Sequence, residues 1–202
     1  YEQTIPATAK AAHDAGKAWV LDPVGLGIGS LRTKLIGELK PYKPTIVRGN
    51  ASEIIALASL WELLDAEDAL DRPRGVDTTD GVDAAREAAV ALARYTGGAV
   101  VVSGEVDLVT DGTTVVRSHG GSELMSKITG CGCSQGGVLA VYATCADAFT
   151  AAVAGTAHYN LAGTRAAAVA DAPASFKVAF IDELYRATGE EIAANPMCVE
   201  EA

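Results

Sequence analysis

Lys127-Ile128-Thr129-Gly130-Cys131-Gly132-Cys133-Ser134-Gln135-Gly136-Gly137 runs straight into an apolar, Ala-rich stretch that reads as a helix. Gly130 and Gly132 free the main chain to turn sharply and present its N–H groups. The helix adds its own unpaired N–H groups and the positive end of its dipole. The turn Gly130, Cys131, Gly132, Cys133 is therefore an anion hole suited to phosphate. Cys133 stands at its mouth, where a reacting group would lie. Glycines at a helix start also serve plain close packing, and the turn alone does not choose between these readings.

Working outward, helical and strand patterns alternate. Residues 1–15 read as a helix ended by Gly16, 18–22 as a short buried strand, 31–39 as a helix and 45–47 as a strand. A helix over 52–60 precedes a polar, loop-like stretch over 65–80. An amphipathic helix over 82–95 closes at Gly97-Gly98, and 99–103 is a strand. A hairpin pairs 108–110 with 113–117 around Asp111-Gly112, a dipeptide that favours a type I′ turn. Helices over 134–143, 147–169 and 174–188 complete the chain. Repeated βα units predict an α/β fold, a three-layer α/β/α sandwich with a mostly parallel central sheet, built as one domain over 1–202.

Composition agrees with one domain: 202 residues, 49% of them hydrophobic, can bury a substantial core. A net charge of −10 argues against a nucleic-acid surface, which needs clustered Lys and Arg. Local N–H groups and a metal ion still allow an acidic chain to bind a nucleotide. No apolar run of about 18 residues and no secretory leader appears, so neither a membrane partner nor export is expected. Four cysteines, at 131, 133, 145 and 198, do not make a disulfide framework for a chain of this size. The expectation is a reduced, cytoplasmic protein. Because the chain opens with Tyr1 inside a helix-like segment, further sequence is expected upstream.

In open α/β folds, ligands bind at the carboxyl ends of the strands. The first strand ends in Asp22-Pro23-Val24-Gly25-Leu26-Gly27, which fails as a dinucleotide fingerprint because Asp22-Pro23 intervenes and the third glycine falls at Gly29. The second ends in Arg48-Gly49-Asn50-Ala51-Ser52-Glu53, where Asn50 or Ser52 can cap a helix and Glu53 suits its first turn. That structural reading of Glu53 leaves Arg48 unexplained. The third ends in Ser103-Gly104-Glu105-Val106-Asp107. Two carboxylates (Asp22, Glu53), Arg48, the Ser103 hydroxyl and the anion hole at one sheet edge are the parts phosphoryl transfer needs. No Walker motif occurs.

Leu21-Asp22-Pro23-Val24-Gly25, Arg32-Thr33, Arg48-Gly49-Asn50-Ala51-Ser52-Glu53-Ile54, Gly75-Val76-Asp77, Gly104-Glu105-Val106-Asp107 and Ile128-Thr129-Gly130-Cys131-Gly132-Cys133 resemble the hydroxyethylthiazole kinases of thiamine salvage, a ribokinase-like family. The resemblance runs from Tyr1 to about Tyr185, and the Arg-Gly-Asn-Ala-Ser-Glu string is its most specific part. The chain departs from the family pattern at Cys131 (usually Thr), at Ser103 (usually Thr) and at Ala172-Pro173-Ala174-Ser175-Phe176, where the family has a Gly-Pro-Gly-Ser-Phe turn. Family members also carry an upstream segment that supplies much of the thiazole pocket. Turnover is accordingly expected only when that segment is supplied.

The resemblance implies phosphorylation, by ATP, of the primary hydroxyl of 5-(2-hydroxyethyl)-4-methylthiazole. Arg48 and Ser103 would contact ATP phosphates. Asp22 and Glu53 would organise Mg²⁺, directly or through water. Gly130 would touch the thiazole, and the turn through Cys133 would stabilise the transferring group. Cys133 stands where most ribokinase-like kinases carry an Asp base, and a thiol at a helix N-terminus can accept a proton. Positioning and electrostatics are expected to outweigh that proton transfer. A homotrimer with active sites between subunits is also implied, which suits Ala166-Ala167-Ala168 as a close-packing face.

Two other readings stay open: a related ribokinase-like enzyme (a hydroxymethylpyrimidine kinase or the ATP-dependent dehydratase of hydrated nicotinamide cofactors), and a nucleotide-binding chain without turnover. Cys131 and Cys133 are too close for an ordinary disulfide and lack the His cluster of a zinc site. Cys145 reads as a core residue and Cys198 as part of a mobile tail. His13, His119 and His158 read as surface or helix-face residues.

Overall fold

The computed structural model describes residues 1–64 and 80–202. The motif Gly75-Val76-Asp77 and nearly all of the loop expected over 65–80 lie outside the described residues. In chain order the elements are α1 (Thr4–Asp14), β1 (Val20–Leu21), α2 (Ser30–Glu38), β2 (Ile46–Asn50) and α3 (Ala51–Leu60). They continue with α4 (Asp80–Ala84), α5 (Arg86–Thr96), β3 (Ala99–Ser103), β4 (Asp107–Thr110) and β5 (Thr114–Ser118). The chain closes with α6 (Cys131–Tyr142), α7 (Ala148–Ala167), α8 (Pro173–Arg186), α9 (Gly189–Ala193) and β6 (Met197–Glu201).

The strands lie side by side in chain order, β1-β2-β3-β4-β5-β6. Their side chains alternate between two faces, as a pleated strand requires. Val47, Val100, Val102, Leu108 and Val115 pack with Ile54, Leu57, Trp61, Ala88 and Leu92 from α3 and α5. Ile46, Ala99, Val101, Val109 and Val116 pack with Leu139, Ala151 and Ala152 from α6 and α7. Helices on both faces make the three layers expected from sequence. Each buried Val or Leu contributes about 1.5–3 kcal/mol, so the sheet is held from both sides.

The sheet is mixed rather than mostly parallel. β1, β2 and β3 are parallel, while β3–β4, β4–β5 and β5–β6 are antiparallel. The tight connection between β4 and β5 permits only an antiparallel pair. The turn itself differs from the type I′ reading. That type needs positive φ at both central residues, but only Gly112 has it (93°). Instead Asp111 Oδ1 accepts from the Thr113 and Thr114 N–H groups, each at 2.8 Å, and side-chain bonding of this kind sets the loop.

Two cysteines depart from expectation. Cys145 is exposed just past α6, with its thiol turned to the Val141 carbonyl and the Thr144 hydroxyl. Cys198 lies on β6, paired with Arg117 of β5, and not in a free tail. Arg86 and Arg117, both bonded to Glu200, help fix that last strand. The histidines fall on surfaces and helix faces: His13 beside the Tyr42 carbonyl, His158 between the Tyr142 hydroxyl and the Leu184 carbonyl, and His119 near Cys198.

Candidate active site

Arg48 is the centre of the site, and strand alternation puts it there. Ile46 faces α6 and α7, so Arg48, two residues on, faces the same way at the carboxyl end of β2. The same parity sends Ser103 of β3 and Asp107 of β4 to that face. Arg48 is 7% exposed and bonded on three sides. Its Nε–H donates to Gln135 Oε1 at 2.9 Å, Nη2 to Ser103 Oγ at 2.8 Å, and Nη1 to Asp22 Oδ2 at 3.4 Å. Three of the guanidinium's five N–H groups are thus engaged and two remain for a ligand.

Directly above this arginine begins α6, without a side-chain cap. Its N-cap, Gly130, has φ 84°, in the left-handed region where glycine is at home. A Cβ on Gly132 would come within 2.9 Å of Arg48 Nη2 and 3.2 Å of Nη1. Gly132 therefore lets the guanidinium lie against the helix start, so the bare N–H groups and the cation reinforce each other. The anion hole is narrower than the sequence suggested. The Cys131 N–H donates to the Ile128 carbonyl at 3.2 Å, and the Cys131 thiol turns inward, 3.6 Å from the Tyr159 hydroxyl. Burial pushes that thiol up, so Cys131 belongs to the core beneath the turn. The N–H groups of Gly130, Gly132 and Cys133 hydrogen-bond to no described residue and are the free donors.

The two carboxylates sit on the β1 side of Arg48. Asp22 follows β1 and packs against Gly136 of α6. Burial raises its pKa above the usual carboxylate value and Glu53 adds to that, while Arg48 pulls the other way. Its Oδ1 is buried without a partner, an orphaned acceptor that suits a cation or a cation's water. Glu53 Oε1 accepts from the Gly25 N–H at 3.0 Å and Oε2 from the Asn50 N–H at 2.9 Å. The structural reading of Glu53 is correct: with Asn50 it closes a capping box on α3. Each of its oxygens keeps a further lone pair, and the Glu53 charge is close enough to act on Asp22. No cluster of three His, Cys, Asp or Glu that could hold a metal occurs among the described residues. A pair of carboxylates fits Mg²⁺, which binds through few protein ligands and keeps waters and phosphate oxygens.

On the other side of Arg48 opens a cavity of about 560 Å³, a volume suited to a small-molecule ligand. Arg48, Ser103, Gly132 and Gln135 form one end; the segment from Gly120 to Glu123, Lys127 and Asn160 form much of the rest. Cys133 is exposed and absent from this lining, although Gly132 beside it belongs to it. Successive helical residues point about 100° apart, so Cys133 leaves the cavity wall that Gly132 forms. Asp107 holds the cavity wall by accepting from the Gly104 N–H at 2.8 Å, and burial pushes its carboxyl up to about 6. Tyr159 braces the helix start: its hydroxyl donates to the Cys131 carbonyl and lies 2.7 Å from Ser134 Oγ.

Sequence reasoning thus assembled Asp22, Arg48, Glu53, Ser103 and the Gly130 turn, and missed Lys127, Gln135, Asp107, Tyr159 and Asn160. Lys127 and Gln135 lie within the glycine-rich stretch itself, so proximity was a signal. Tyr159 and Asn160 sit mid-helix on α7 with no local signal.

An open α/β fold, an uncapped helix start over a buried arginine, and a carboxylate pair at the same strand ends define a small-molecule kinase of the ribokinase-like class. The comparisons carry this further. The chain belongs to the hydroxyethylthiazole kinase family, whose model matches residues 1–190. A hydroxyethylthiazole kinase of Bifidobacterium animalis subsp. lactis is 48% identical over 206 residues, covering 98% of this chain and 68% of that protein. One of Bifidobacterium adolescentis is 47% identical over 204 residues, covering 96% and 69%. Among solved structures, the hydroxyethylthiazole kinase protein of Pyrococcus horikoshii matches with a TM-score of 0.82 at 27% identity, over all of this chain and 72% of that one. The pyridoxal kinase of Staphylococcus aureus matches with a TM-score of 0.57 at 20% identity, over 82% and 59%, and supports the fold alone.

Proposed function

We propose that this chain transfers the γ-phosphoryl group of ATP to the primary hydroxyl of 5-(2-hydroxyethyl)-4-methylthiazole. The observation that carries the reading is the buried Arg48 lying against the uncapped start of α6, beside a cavity of nucleotide size, in a chain of this family. The nucleotide enters from the cavity side. Its phosphates meet the two free N–H groups of Arg48 and the N–H groups of Gly132 and Cys133. The alcohol approaches from the Asp22 side, with Gly130 against the thiazole.

The alcohol oxygen attacks the γ-phosphorus, the bond to the bridging β–γ oxygen breaks, and ADP leaves. Cys133 Sγ receives the hydroxyl proton, being exposed at the start of α6 next to Gly132 of the cavity wall. Arg48 and the α6 N–H groups stabilise the negative charge spread over the transferring group, which supplies most of the rate. Asp22 and Glu53 would hold Mg²⁺, which supplies further neutralisation of phosphate charge when bound. Assembly as a homotrimer with sites between subunits and a cytoplasmic location complete the proposal; the first rests on the family resemblance and the second on the cysteine usage. No helix among the described residues is long and apolar enough to cross a membrane.

The test is product analysis by mass spectrometry after the chain, joined to the upstream segment of a family member, is incubated with Mg²⁺, ATP and a mixture of thiazole alcohol, hydroxymethylpyrimidine and pyridoxal. Thiazole phosphate appearing in step with ADP is expected. Preferential phosphorylation of another acceptor would overturn the substrate assignment.

A further inference from the structure

Gln135 is buried on the second turn of α6, 2% exposed, yet lines the cavity. An arginine Nε–H can only donate, so the amide atom facing it must be the carbonyl oxygen. The bond from Arg48 Nε to Gln135 Oε1 at 2.9 Å therefore fixes which way the amide points. Its NH₂ group is turned away from the arginine, and Nε2 hydrogen-bonds to no described residue. It is also not among the fully enclosed polar atoms left without a partner. The neighbouring Ser103 hydroxyl, by contrast, has its one proton engaged: it accepts from Arg48 and donates to the Gly49 carbonyl at 3.3 Å, so the phosphate contact expected of Ser103 would need that proton to turn away from Gly49.

We propose that Gln135 is a second ligand of the nucleotide phosphates, its Nε2 donating to a phosphoryl oxygen beside the Arg48 guanidinium. The proposal rests on the cavity being the nucleotide site. A desolvated amide donor next to a cation with two free N–H groups is arranged for an anion carrying several acceptor oxygens. The arginine does the orienting and the amide extends its reach along the phosphate chain. Gln135 is thus a binding residue in its own right and not merely a support for Arg48.

The experiment follows the side-chain amide signals of Gln135 by ¹⁵N–¹H NMR, assigned by their loss in Gln135→Met, during titration with a non-hydrolysable ATP analogue and, separately, with adenosine. A downfield shift with the analogue and none with adenosine is expected. Calorimetry should show about a tenfold loss of affinity for the analogue in Gln135→Met, the worth of one hydrogen bond to a charged group, with adenosine affinity unchanged. A wild-type chain that binds the analogue while the Gln135 amide signals stay in place would overturn the proposal and leave the nucleotide site standing. Failure of the analogue to bind at all would overturn both.

Discussion

Two helices begin at the same edge of the sheet and are finished in opposite ways. At α3, Asn50 Oδ1 accepts from the Glu53 N–H at 2.9 Å and Glu53 Oε2 accepts from the Asn50 N–H, so the helix closes on its own side chains. At α6 the N-cap is Gly130, no side chain caps the helix, and the Arg48 cation lies against its first turn. The first arrangement takes up the N–H groups of Asn50 and Glu53 and adds a carboxylate, which repels phosphate and suits a cation. The second leaves the N–H groups for a ligand and adds a positive charge. Equal helix dipoles thus end in opposite electrostatic sites because the capping chemistry differs. In the proposed function that difference separates a metal side from a phosphate side.

The largest effect should come from Arg48→Ala, which removes the cation under α6. Breaking a buried ion pair costs about 3–5 kcal/mol of stability. Affinity for Mg·ATP should fall by a further ~1.5–3 kcal/mol, the range for hydrogen bonds to charged groups. Arg48→Lys, measured by the same denaturation and calorimetry, keeps the charge without the fork and should retain the fold while still binding ATP weakly. Equal ATP affinity in Arg48→Ala and wild type would remove Arg48 from the phosphate site.

Next comes Cys133→Ala. If the thiol receives the proton, kcat should fall by no more than the ~10²–10⁴-fold of acid–base catalysis, because the α6 N–H groups and Arg48 remain. KM for ATP should hardly change. Cys133→Asp should retain or raise kcat. An unaffected Ala variant together with a poor Asp variant would leave Cys133 as a small helix-start residue only.

Gly132→Ala sharpens the comparison at smaller cost. The added methyl would press on the Arg48 Nη atoms, and kcat/KM for ATP should drop about tenfold, in line with ~1–3 kcal/mol for overpacking. Gly137→Ala on the same helix meets nothing within 4 Å and should stabilise the protein by up to ~1 kcal/mol with kinetics unchanged. Similar kinetics for the two variants would mean that close approach of Arg48 to α6 is unimportant.

The smallest effect belongs to α3. Asn50→Ala removes the cap and should cost about 1 kcal/mol in denaturant unfolding. ATP affinity measured without Mg²⁺ should not move, because the proposed function puts the phosphates at α6. A tenfold loss there would erase the distinction between the two helix starts.

Much of this was legible in local sequence. Asn50-Ala51-Ser52-Glu53 spells a capping box, Gly130-Cys131-Gly132 spells an uncapped turn, and Asp22, Arg48 and Ser103 stand where strands end. These are local signals, because turn and cap chemistry is decided within a few residues. What escaped depends on packing between distant segments. Gln135 and Asn160 read as ordinary helical residues until the angles of α6 and α7 over the sheet bring them to the cavity. Cys131 reads as part of the hole with its neighbours, but its thiol faces Tyr159 and its N–H closes a turn on the Ile128 carbonyl. β6 has too little apolar alternation to announce a strand, and it exists because Arg117 and the free edge of β5 receive it. The Asp111-Gly112 turn departs from type I′ because the Asp side chain, bonding forward to residues 113 and 114, outweighs the dipeptide's backbone preference.

The central claim is that phosphate is held at α6 and not at α3. Backbone ¹⁵N–¹H shifts during titration with a non-hydrolysable ATP analogue, in the absence of Mg²⁺, test it most directly. The account predicts the largest shifts at Gly130, Gly132 and Cys133, with Ala51, Ser52 and Glu53 nearly still. Large shifts at the α3 start with a silent α6 turn would contradict it.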